Sequence, residues 1–571
     1  MYIRRKYITN SSVLSSIKRN NYLFYIFKLI FLLKIKASHD IIIDITESYK
    51  NIIVKKYKLY TIKGANYMEL FKVNRGLTYV YNPYAEENKF LHMPVENNPL
   101  PLYENSKDKL PKPIWDGHEN YIKCYDYAWK LAFNNLRTPN AEAGFVSNFI
   151  DTAFNGFLFM WDSSFIVLFG KYGSQIFDFQ KTLDNFYSHQ HYDGFICREI
   201  CESENGEQFC RYDPSGTGPN IMPWSEWESY LQTGDKERIS KIFAPLLAYH
   251  LWLKENHTWR DGTYFSTGLG CGMDNQHRQQ KGTEFGCSHG HMIWMDTCAQ
   301  QVLSANILIK MAKILGRENE DAVKTIEEES VYLTKYINEK LWSEKNAYYY
   351  DMYRDGSLNG VKTIGAYWAL LAGIVPDNRI DAFVAHLDNP NEFKRPNRVP
   401  TVSADDESYS PVGDYWNGSV WAPTNYMVLK GLDYHGYNKL AYEIASTCLD
   451  NVVEVFNSTG TIWENYAPET ADHGSHSKDK FVGWSGLFPI SIMFEYVFGI
   501  RPEASKNTIV WYVNRTERHG IERYPFNGET IDLVCETRNN ENEKPVITVK
   551  SPKPIKVELH WGDGKTEIIE S

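Results

Sequence analysis

Several features that mark common classes of protein are absent from this chain of 571 residues. There is no P-loop, no glycine-rich dinucleotide motif that opens a helix after a strand, and no G-x-S-x-G nucleophile elbow. An excess of positive charge is also missing, because 61 Lys and Arg stand against 71 Asp and Glu, for a formal net charge of −10. Phosphate backbones require a basic surface, so the sequence excludes nucleic acid as a main partner.

Cysteine pairs and metal-ligand spacings are scarce as well. The 9 cysteines are an odd number at irregular spacing, and no two C-x-x-C motifs occur together. This pattern predicts neither a disulfide framework nor a zinc site. His289 and His291 flank one glycine, but no third ligand stands at a typical spacing along the chain. The sequence therefore predicts no metal site.

A long hydrophobic run of the kind that spans a membrane is lacking too. The apolar run from Tyr22 to Leu33 is interrupted by Lys28, and it follows a segment rich in Arg and Lys. It has the character of a signal-peptide core, although no clear small-residue cleavage site follows it. We interpret residues 1–67 as an N-terminal extension that contains a signal or an uncleaved anchor, and a membrane is expected as a partner only in the second case. Export is favoured over a cytoplasmic location.

The chain beyond this extension divides into three parts by its residue pattern. Residues 68–115 form a short mixed segment with β-like runs, and residues 504–571 alternate apolar and polar residues as strands do. Residues 116–503 have the apolar spacing of helices, most clearly over 239–247 and 302–315. Loops dense in Trp, Tyr, Asp, Asn and Gly separate these helices. A toroid of helices that gathers its loops at one mouth fits this organisation.

Aromatic residues are abundant, at 15% of the chain with 16 Trp and 39 Tyr. Most of them are expected in a core. Aromatic faces also pack against the apolar faces of sugar rings, so a carbohydrate ligand is a second interpretation of the same composition.

Two carboxyl groups stand in unusual surroundings. Asp274 follows three closely spaced glycines, which let a backbone turn sharply and approach a ligand. Glu464 is flanked by Trp, Asn and Tyr shortly before a proline, unlike a glutamate on a helix surface. The structural alternatives are a helix cap or turn for Asp274 and a buried ion pair for Glu464. Glycosidic bonds are cut by two carboxyl groups on either side of the bond, so this pair is a candidate acid and base.

Other polar and aromatic residues of the loops are candidates for binding a sugar. One pair follows an apolar run at 157–160, and the segment 415–423 carries two tryptophans with an amide. Helix capping and core packing are the structural alternatives for these positions. The candidate substrate-binding residues are Trp161, Asp162, Trp224, Asn275, Trp416, Asn417, Trp421, Trp463 and Trp484.

Together these segments resemble glycoside hydrolase family 63 and the related trehalase family, in particular the mannosylglycerate-hydrolase-like branch. The matching segments occur in the family's order and span residues 155–500, nearly the whole helical region. No single segment is decisive, but their order and spacing together are specific. They are Trp161-Asp162, Gly272-Met273-Asp274-Asn275, Asp296 at the start of a long helix, Tyr415-Trp416-Asn417-Gly418-Ser419-Val420-Trp421, Trp463-Glu464-Asn465-Tyr466 and Gly483-Trp484-Ser485-Gly486-Leu487.

The resemblance implies a mainly α fold, an (α/α)6 barrel with a short N-terminal mixed segment and a small C-terminal β-domain. It also implies inverting hydrolysis of an α-linked glucoside or mannoside, with Asp274 as general acid and Glu464 as general base. Asn417-Gly418 has the trehalase form, where family 63 often carries an Arg-Gly pair. An oligosaccharide end, a disaccharide and a sugar–glycerate therefore all stay open as substrates. The chemistry requires no metal or organic cofactor, and a structural Ca²⁺ is compatible with the sequence but not indicated by it.

Two other classes of function stay open from the sequence. A phosphorylase or an epimerase on the same barrel is the first, and phosphorolysis would use a cationic pocket for which Arg211, His277 and Arg278 are available. A glycan-binding protein without activity is the second. Such a protein would have no need for a matched pair of carboxyl groups such as Asp274 and Glu464.

Overall fold

The structure is a computed structural model that describes residues 69–72, 78–152, 156–203, 206–279 and 286–570. The predicted extension over residues 1–67 lies outside these residues, and so does the interpretation of that extension as a signal or an anchor. Among the helices that the structure describes, none combines the length and the apolar character that crossing a bilayer would take.

Helical segments dominate the part of the chain between the short N-terminal segment and the C-terminal strands. The predicted apolar faces at 239–247 and 302–315 lie on α5 and α6, defined below, and these two predictions are confirmed. The α6 helix ends at Gly316, whose left-handed φ of 70° closes the last turn. The barrel segments are α1 (Glu119–Asn134), α2 (Met160–Gly170), α3 (Phe179–Leu183 and Asp184–Ser188), α4 (Met222–Thr233), α5 (Lys236–Asn256), α6 (Met295–Leu315), α7 (Asp321–Tyr336), α8 (Ile364–Tyr367 and Trp368–Leu371), α9 (Asp377–Val384), α10 (Ala422–Tyr434), α11 (Asn438–Thr459) and α12 (Phe488–Val497).

These segments form two concentric rings, with the even-numbered helices inside and the odd-numbered helices outside. Consecutive inner helices contact one another round the ring, and α12 returns to contact α2. Every residue of α2 and of α12 is buried, whereas α7 buries only one face. A helix that is apolar on all sides suits an inner ring, and an amphipathic one suits the outside. This architecture is the predicted (α/α)6 barrel.

A buried ion cluster joins four inner helices at one end of the ring. Lys430 on α10 lies 2.7 Å from Glu228 on α4 and 2.8 Å from Glu495 on α12, while Lys171, directly after α2, lies 3.0 Å from Glu495. Burial alone would raise the pKa of Glu495, but the two ammonium groups outweigh it and hold that pKa at about 2. The Tyr426 hydroxyl also donates to this carboxylate. We call these two lysines and two glutamates the basal ion cluster.

Two four-stranded sheets complete the fold. One has the strand order β11-β12-β16-β17, and the other has the order β15-β14-β13-β3. β16 and β17 form a hairpin around Asp563-Gly564, where they pair antiparallel. The strands are β1 (Glu69–Lys72), β2 (Thr78–Val80), β3 (Lys112–Trp115), β4 (Leu136–Arg137), β5 (Phe149–Ile150), β6 (Phe157–Phe159), β7 (Glu199–Cys201), β8 (Gly206–Glu207), β9 (Trp342–Ser343), β10 (Tyr348–Tyr349), β11 (Ile500–Glu503), β12 (Thr508–Val513), β13 (His519–Phe526), β14 (Glu529–Cys535), β15 (Ile547–Lys550), β16 (Lys556–Trp561) and β17 (Lys565–Glu570).

The second sheet draws strands from both ends of the described chain. β3, which precedes the barrel, pairs antiparallel with β13, which follows it. The Trp115 indole Nε1 donates to Glu517 Oε1 over 2.8 Å, although the two residues are 402 positions apart. The domain limits at 67, 115 and 503 stay predictions. Short helices outside the rings lie at Pro83–Glu86, Lys89–His92, Tyr103–Ser106, Lys107–Lys109, Ala141–Ala143, Lys171–Gly173, Gly268–Cys271, Ile337–Leu341, Ala385–Asp388, Ser485–Leu487 and Ala504–Lys506.

Candidate active site

A cavity of about 280 Å³ opens where the inner helices α2 and α4 begin. Since the basal ion cluster lies at the other ends of these helices, the cavity and the cluster are separated by most of the length of the inner ring. Both candidate carboxyl groups, Asp274 and Glu464, line this cavity. Its lining comprises Phe159, Met160, Trp161, Asp162, Arg198, Glu199, Gly218, Pro219, Leu269, Gly272, Asp274, Tyr415, Trp416, Glu464, Phe481 and Trp484.

Asp274 reaches the cavity on a glycine-rich segment that packs directly against an aromatic ring. A Cβ on Gly272 would stand 2.7 Å from the Trp161 indole, and the φ of this glycine is +78°. Glycine is therefore required there for the segment to pass so close to the ring. Burial raises the pKa of Asp274 to about 6, while the Arg198 guanidinium opposes this rise and the Glu199 carboxylate adds to it. No side chain or backbone N–H among the described residues donates a hydrogen bond to the Asp274 carboxylate.

Glu464 is held by hydrogen bonds on both carboxylate oxygens. The Tyr415 hydroxyl donates to Oε1 over 3.3 Å, and the backbone N–H of Lys478 donates to Oε2 over 3.2 Å. The Trp484 indole donates to the Glu464 carbonyl over 3.0 Å, which fixes the backbone as well. Burial raises the pKa of Glu464 to about 7, and the charge of Asp274 adds to this rise although the two donors oppose it. The two carboxyl groups are therefore close enough to influence each other's proton.

A third carboxyl group, Asp162, stands on the first turn of α2 in the same cavity. Burial raises its pKa well above the usual range, and the negative charges of Asp274 and Glu464 raise it further. The neighbouring Trp161 indole Nε1 is buried and has no hydrogen-bond partner in the described part of the chain. The Trp161 N–H is therefore available to a ligand, and the Asp162 carboxyl stands beside it in the same cavity.

Two other predicted substrate-binding residues, Trp416 and Trp484, also line the cavity. The remaining five do not, and three of them are tryptophans. Trp224 is 1% exposed and packs edge-on against Trp368 inside the ring. Trp421 is buried face to face against Trp416, with ring centres 3.8 Å apart, so it supports the cavity wall from behind.

Trp463 stacks on His473, with ring centres 3.8 Å apart, and its indole donates to Thr459. These three tryptophans were predicted to contact a sugar, but the structure does not place them in the lining of the cavity. Their indoles pack against other side chains of the protein.

Asn275 and Asn417 join two loops to each other. The Asn275 Oδ1 accepts from the Trp416 backbone N–H, and the Asn417 amide donates to the Asn275 carbonyl, both over 2.9 Å. The Asn417 Oδ1 accepts in turn from the His277 backbone N–H over 3.2 Å. Their amides therefore hold Trp416 beside the Asp274 segment instead of lining the cavity.

Three polar lining residues were not among the predicted site residues, namely Arg198, Glu199 and Tyr415. Arg198 pairs with Glu199 at 3.3 Å and donates to the Ser215 carbonyl over 2.7 Å. The sequence around residue 198 contains no feature that distinguishes this pair from an ion pair on the protein surface. Tyr415 lies in the aromatic segment 415–423. Its backbone φ of 54° is in the left-handed region, which residues other than glycine seldom adopt.

We expect Tyr415→Phe to lower kcat about tenfold while the protein stays folded, because Glu464 loses one of the donors that orient it. That donor also lowers the pKa of Glu464. Its loss therefore raises this pKa. Because Glu464 already has the higher pKa of the pair, the basic limb of the pH profile moves to higher pH and the productive protonation state becomes rarer. The measurement is kcat and kcat/KM against pH for both proteins. A smaller kcat with an unmoved basic limb would show that the hydroxyl does not act through Glu464.

The cationic residues considered for a phosphate pocket are not gathered in one place. Arg278 is buried between Asp296 and Asp351, which it meets through bidentate hydrogen bonds. Arg211 is engaged by Asp193 elsewhere in the barrel. Arg278 therefore anchors the segment that carries Asp274 to the start of α6. No cluster of three His, Cys, Asp or Glu suited to a metal occurs among the described residues.

A family model described as a mannosylglycerate hydrolase MGH1-like glycoside hydrolase domain matches residues 157–485, which contain every residue that lines the cavity. The chain belongs to this branch of glycoside hydrolase family 63. As a family 63 member it is an O-glycosyl hydrolase, and its substrate is a carbohydrate.

Two relatives and one solved structure show how far this similarity extends. An uncharacterized protein of Borreliella burgdorferi is 26% identical over 388 residues, which cover 65% of this chain and 78% of that protein. A probable mannosyl-oligosaccharide glucosidase of Schizosaccharomyces pombe is 25% identical over 52% of this chain. The match covers only 36% of that glucosidase. A GH63 mannosylglycerate hydrolase from Thermus thermophilus, solved with glucose, superposes with a TM-score of 0.53 at 20% identity over 64% of this chain and 99% of that chain, and so shares the fold.

Proposed function

We propose that this protein hydrolyses an α-linked glucoside or mannoside with inversion, with Asp274 as general acid and Glu464 as general base. The observation that carries the proposal is that one cavity holds both carboxyl groups in different hydrogen-bonding environments. An oligosaccharide end, a disaccharide or a sugar–glycerate is the substrate class. Two carboxyl groups supply both the acid and the base, so this chemistry requires neither a metal nor an organic cofactor.

The proposed step moves two protons in opposite directions. Glu464 takes a proton from water as the water oxygen attacks the anomeric carbon, and Asp274 gives its proton to the leaving oxygen as the glycosidic bond breaks. The products are the released alcohol and a sugar of inverted configuration. Glu464 then carries the proton and Asp274 the charge, and exchange with solvent restores the starting state.

Hydrogen bonding supports this division of roles. Both Glu464 oxygens accept from fixed donors, which orient its lone pairs toward one place in the cavity. Asp274 has no such donor among the residues that the structure describes, and burial and the Glu199 carboxylate raise its pKa against the opposing charge of Arg198. Since Glu464 has the higher pKa of the two, the productive form of the unliganded pair is less abundant than its opposite. A leaving oxygen that accepts a hydrogen bond from Asp274 favours the productive form.

The glycone is proposed to lie against Trp161, Asp162, Trp416 and Trp484. The indole faces suit the apolar face of a pyranose ring. The buried Asp162 carboxyl and the unpartnered Trp161 N–H offer hydrogen bonds to its hydroxyl groups.

We expect a bell-shaped dependence of kcat/KM on pH, with an optimum between limbs near about 6 and about 7. Activity falls at low pH because the base becomes protonated, and it falls at high pH because the acid loses its proton. The two limbs belong to the coupled pair and not to either residue alone. A profile that is flat from pH 5 to 9 would contradict proton transfer by this pair.

Proton NMR of the products tests the inversion directly. The enzyme is mixed with a panel of α-glucosides, α-mannosides and trehalose, and the first anomer released is recorded before mutarotation. The proposal expects the β-anomer from an α-linked substrate. An α-anomer released first would mean retention, and the roles given to Asp274 and Glu464 would be wrong.

A further inference from the structure

A second cavity, of about 320 Å³, lies on the other side of Asp274. Asp274 lines both cavities, whereas Glu464 and Trp161 line only the first. The wall of the second cavity includes Gln276, His277 and Gln279, which follow Asp274 along the chain. Asp274 therefore stands in the wall that the two cavities share.

We propose that the second cavity holds the leaving group, and that this leaving group is a neutral, hydroxyl-bearing unit such as a sugar, not a unit that carries a carboxylate. The inference rests on the proposed function. A general acid must reach the oxygen between the two halves of its substrate. If the glycone lies in the first cavity, the other half extends past Asp274 into the second.

Two amide oxygens give the second cavity its chemical preference. The Gln276 amide nitrogen donates to the Thr401 carbonyl over 3.0 Å and to the Trp416 carbonyl over 3.4 Å, so the orientation of this amide is fixed. The Gln279 amide nitrogen donates to the Ser288 carbonyl over 2.8 Å. Both Oε1 atoms are buried and have no hydrogen-bond partner among the described residues, and Gln276 is only 9% exposed.

Unused acceptors select a ligand that donates hydrogen bonds. A sugar hydroxyl donates, so it satisfies an amide oxygen and still accepts elsewhere. A carboxylate can only accept, so it would face two amide oxygens and lose the solvation that it had in water. The exposed His277 imidazole adds a donor or an acceptor according to its tautomer. Two guanidinium groups are already paired, that of Arg278 beside these wall residues with Asp296 and Asp351, and that of Arg198 in the first cavity with Glu199.

A matched set of substrates distinguishes the contribution of the second cavity to kcat/KM from that of the first. One glycone, chosen by the NMR panel, is presented as its α-glycosyl fluoride, as a disaccharide with a neutral sugar leaving group, and as the glycoside of glyceric acid. The fluoride places nothing in the second cavity beyond a single atom. The proposal expects kcat/KM for the disaccharide to exceed that for the glycerate compound about tenfold or more, since a carboxylate leaves the buried amide oxygens unpaired.

Substitution of the two glutamines tests whether the preference for a neutral leaving group arises in the second cavity. Gln279→Leu is expected to lower kcat/KM for the disaccharide about tenfold and to change hydrolysis of the fluoride far less. Gln276→Leu also removes the donor to the Trp416 carbonyl, so it is expected to slow both substrates, and the disaccharide more than the fluoride. Gln180→Leu is the matched control, because Gln180 is also a buried glutamine with an unpartnered Oε1 but lies outside both cavities. If Gln276→Leu does not fold, Gln279→Leu, whose side chain is less buried, carries the comparison.

The outcomes distinguish this proposal from the function on which it rests. Faster hydrolysis of the glycerate compound, or an equal loss on the disaccharide and the fluoride in the glutamine variants, would overturn the leaving-group assignment while inverting hydrolysis stands. Retention of configuration, or no hydrolysis of any of the three compounds by the wild-type protein, would overturn the proposed function and this inference with it.

Discussion

Asp274→Asn is expected to lower kcat/KM for a disaccharide about 10²–10⁴-fold and to affect the matching glycosyl fluoride far less. An alkoxide is a poor leaving group, so a sugar must receive a proton as the bond breaks. Fluoride leaves without one, and the variant keeps the water and the base. The measurement is kcat/KM for both substrates with the wild-type protein and the variant. Equal losses on both substrates would contradict the role of Asp274 as an acid.

Glu464→Gln provides the complementary result. Water must lose its proton whichever group leaves, so this variant is expected to lose activity on the disaccharide and on the fluoride alike. Glu469→Gln is the control, because Glu469 lies on the same loop but pairs with Arg395 outside the cavity. Wild-type rates for this control would show that the loss of a glutamate from this loop does not by itself lower the activity.

The second large effect is expected at the basal ion cluster. Glu495→Gln removes one of the charges that compensate Lys171 and Lys430 in the barrel interior. A buried ion pair that loses one partner leaves an uncompensated charge, which costs about 3–5 kcal/mol. We therefore expect a clearly lower urea midpoint of unfolding. The kcat of the folded fraction should stay near the wild-type value, since the cluster is about 15 Å along α2 from Trp161.

The control for this variant is Glu237→Gln on the outer face of α5. Glu237 forms an exposed pair with Lys241 at 2.7 Å, and such pairs contribute little in water. We expect no measurable change in its urea midpoint. A midpoint for Glu495→Gln that matched this control would mean that the cluster does not stabilise the barrel.

The helical rings were predictable from the sequence because each inner helix needs a nearly continuous apolar surface. The segment 302–315 has this pattern and lies on α6. The two carboxyl groups were predictable for a different reason. Glycines before Asp274 and aromatics around Glu464 are local requirements of a backbone that must approach another group closely, so they are visible in a short stretch of sequence.

The positions of the tryptophans were not predictable in the same way. Trp224 stands near the start of α4, and its indole packs inside the ring, whereas Pro219, which precedes the helix, lines the cavity. A shift of a few residues along the chain, from the loop into the helix, decides between the two positions. Arg198 and Glu199 were missed for a different reason. Glu199 begins β7, and the pairing of β7 with β6 brings both residues to the cavity. No local pattern records such a pairing between distant segments.

The pairing of β3 with β13 also constrains how the protein is made. Roughly 400 residues must leave the ribosome between these strands, which takes about 20–80 seconds at about 5–20 residues per second. Throughout that interval Lys112–Trp115 lacks the strand with which it pairs, and for most of it the ring of inner helices lacks α12. Completion of the fold is therefore a late event in synthesis.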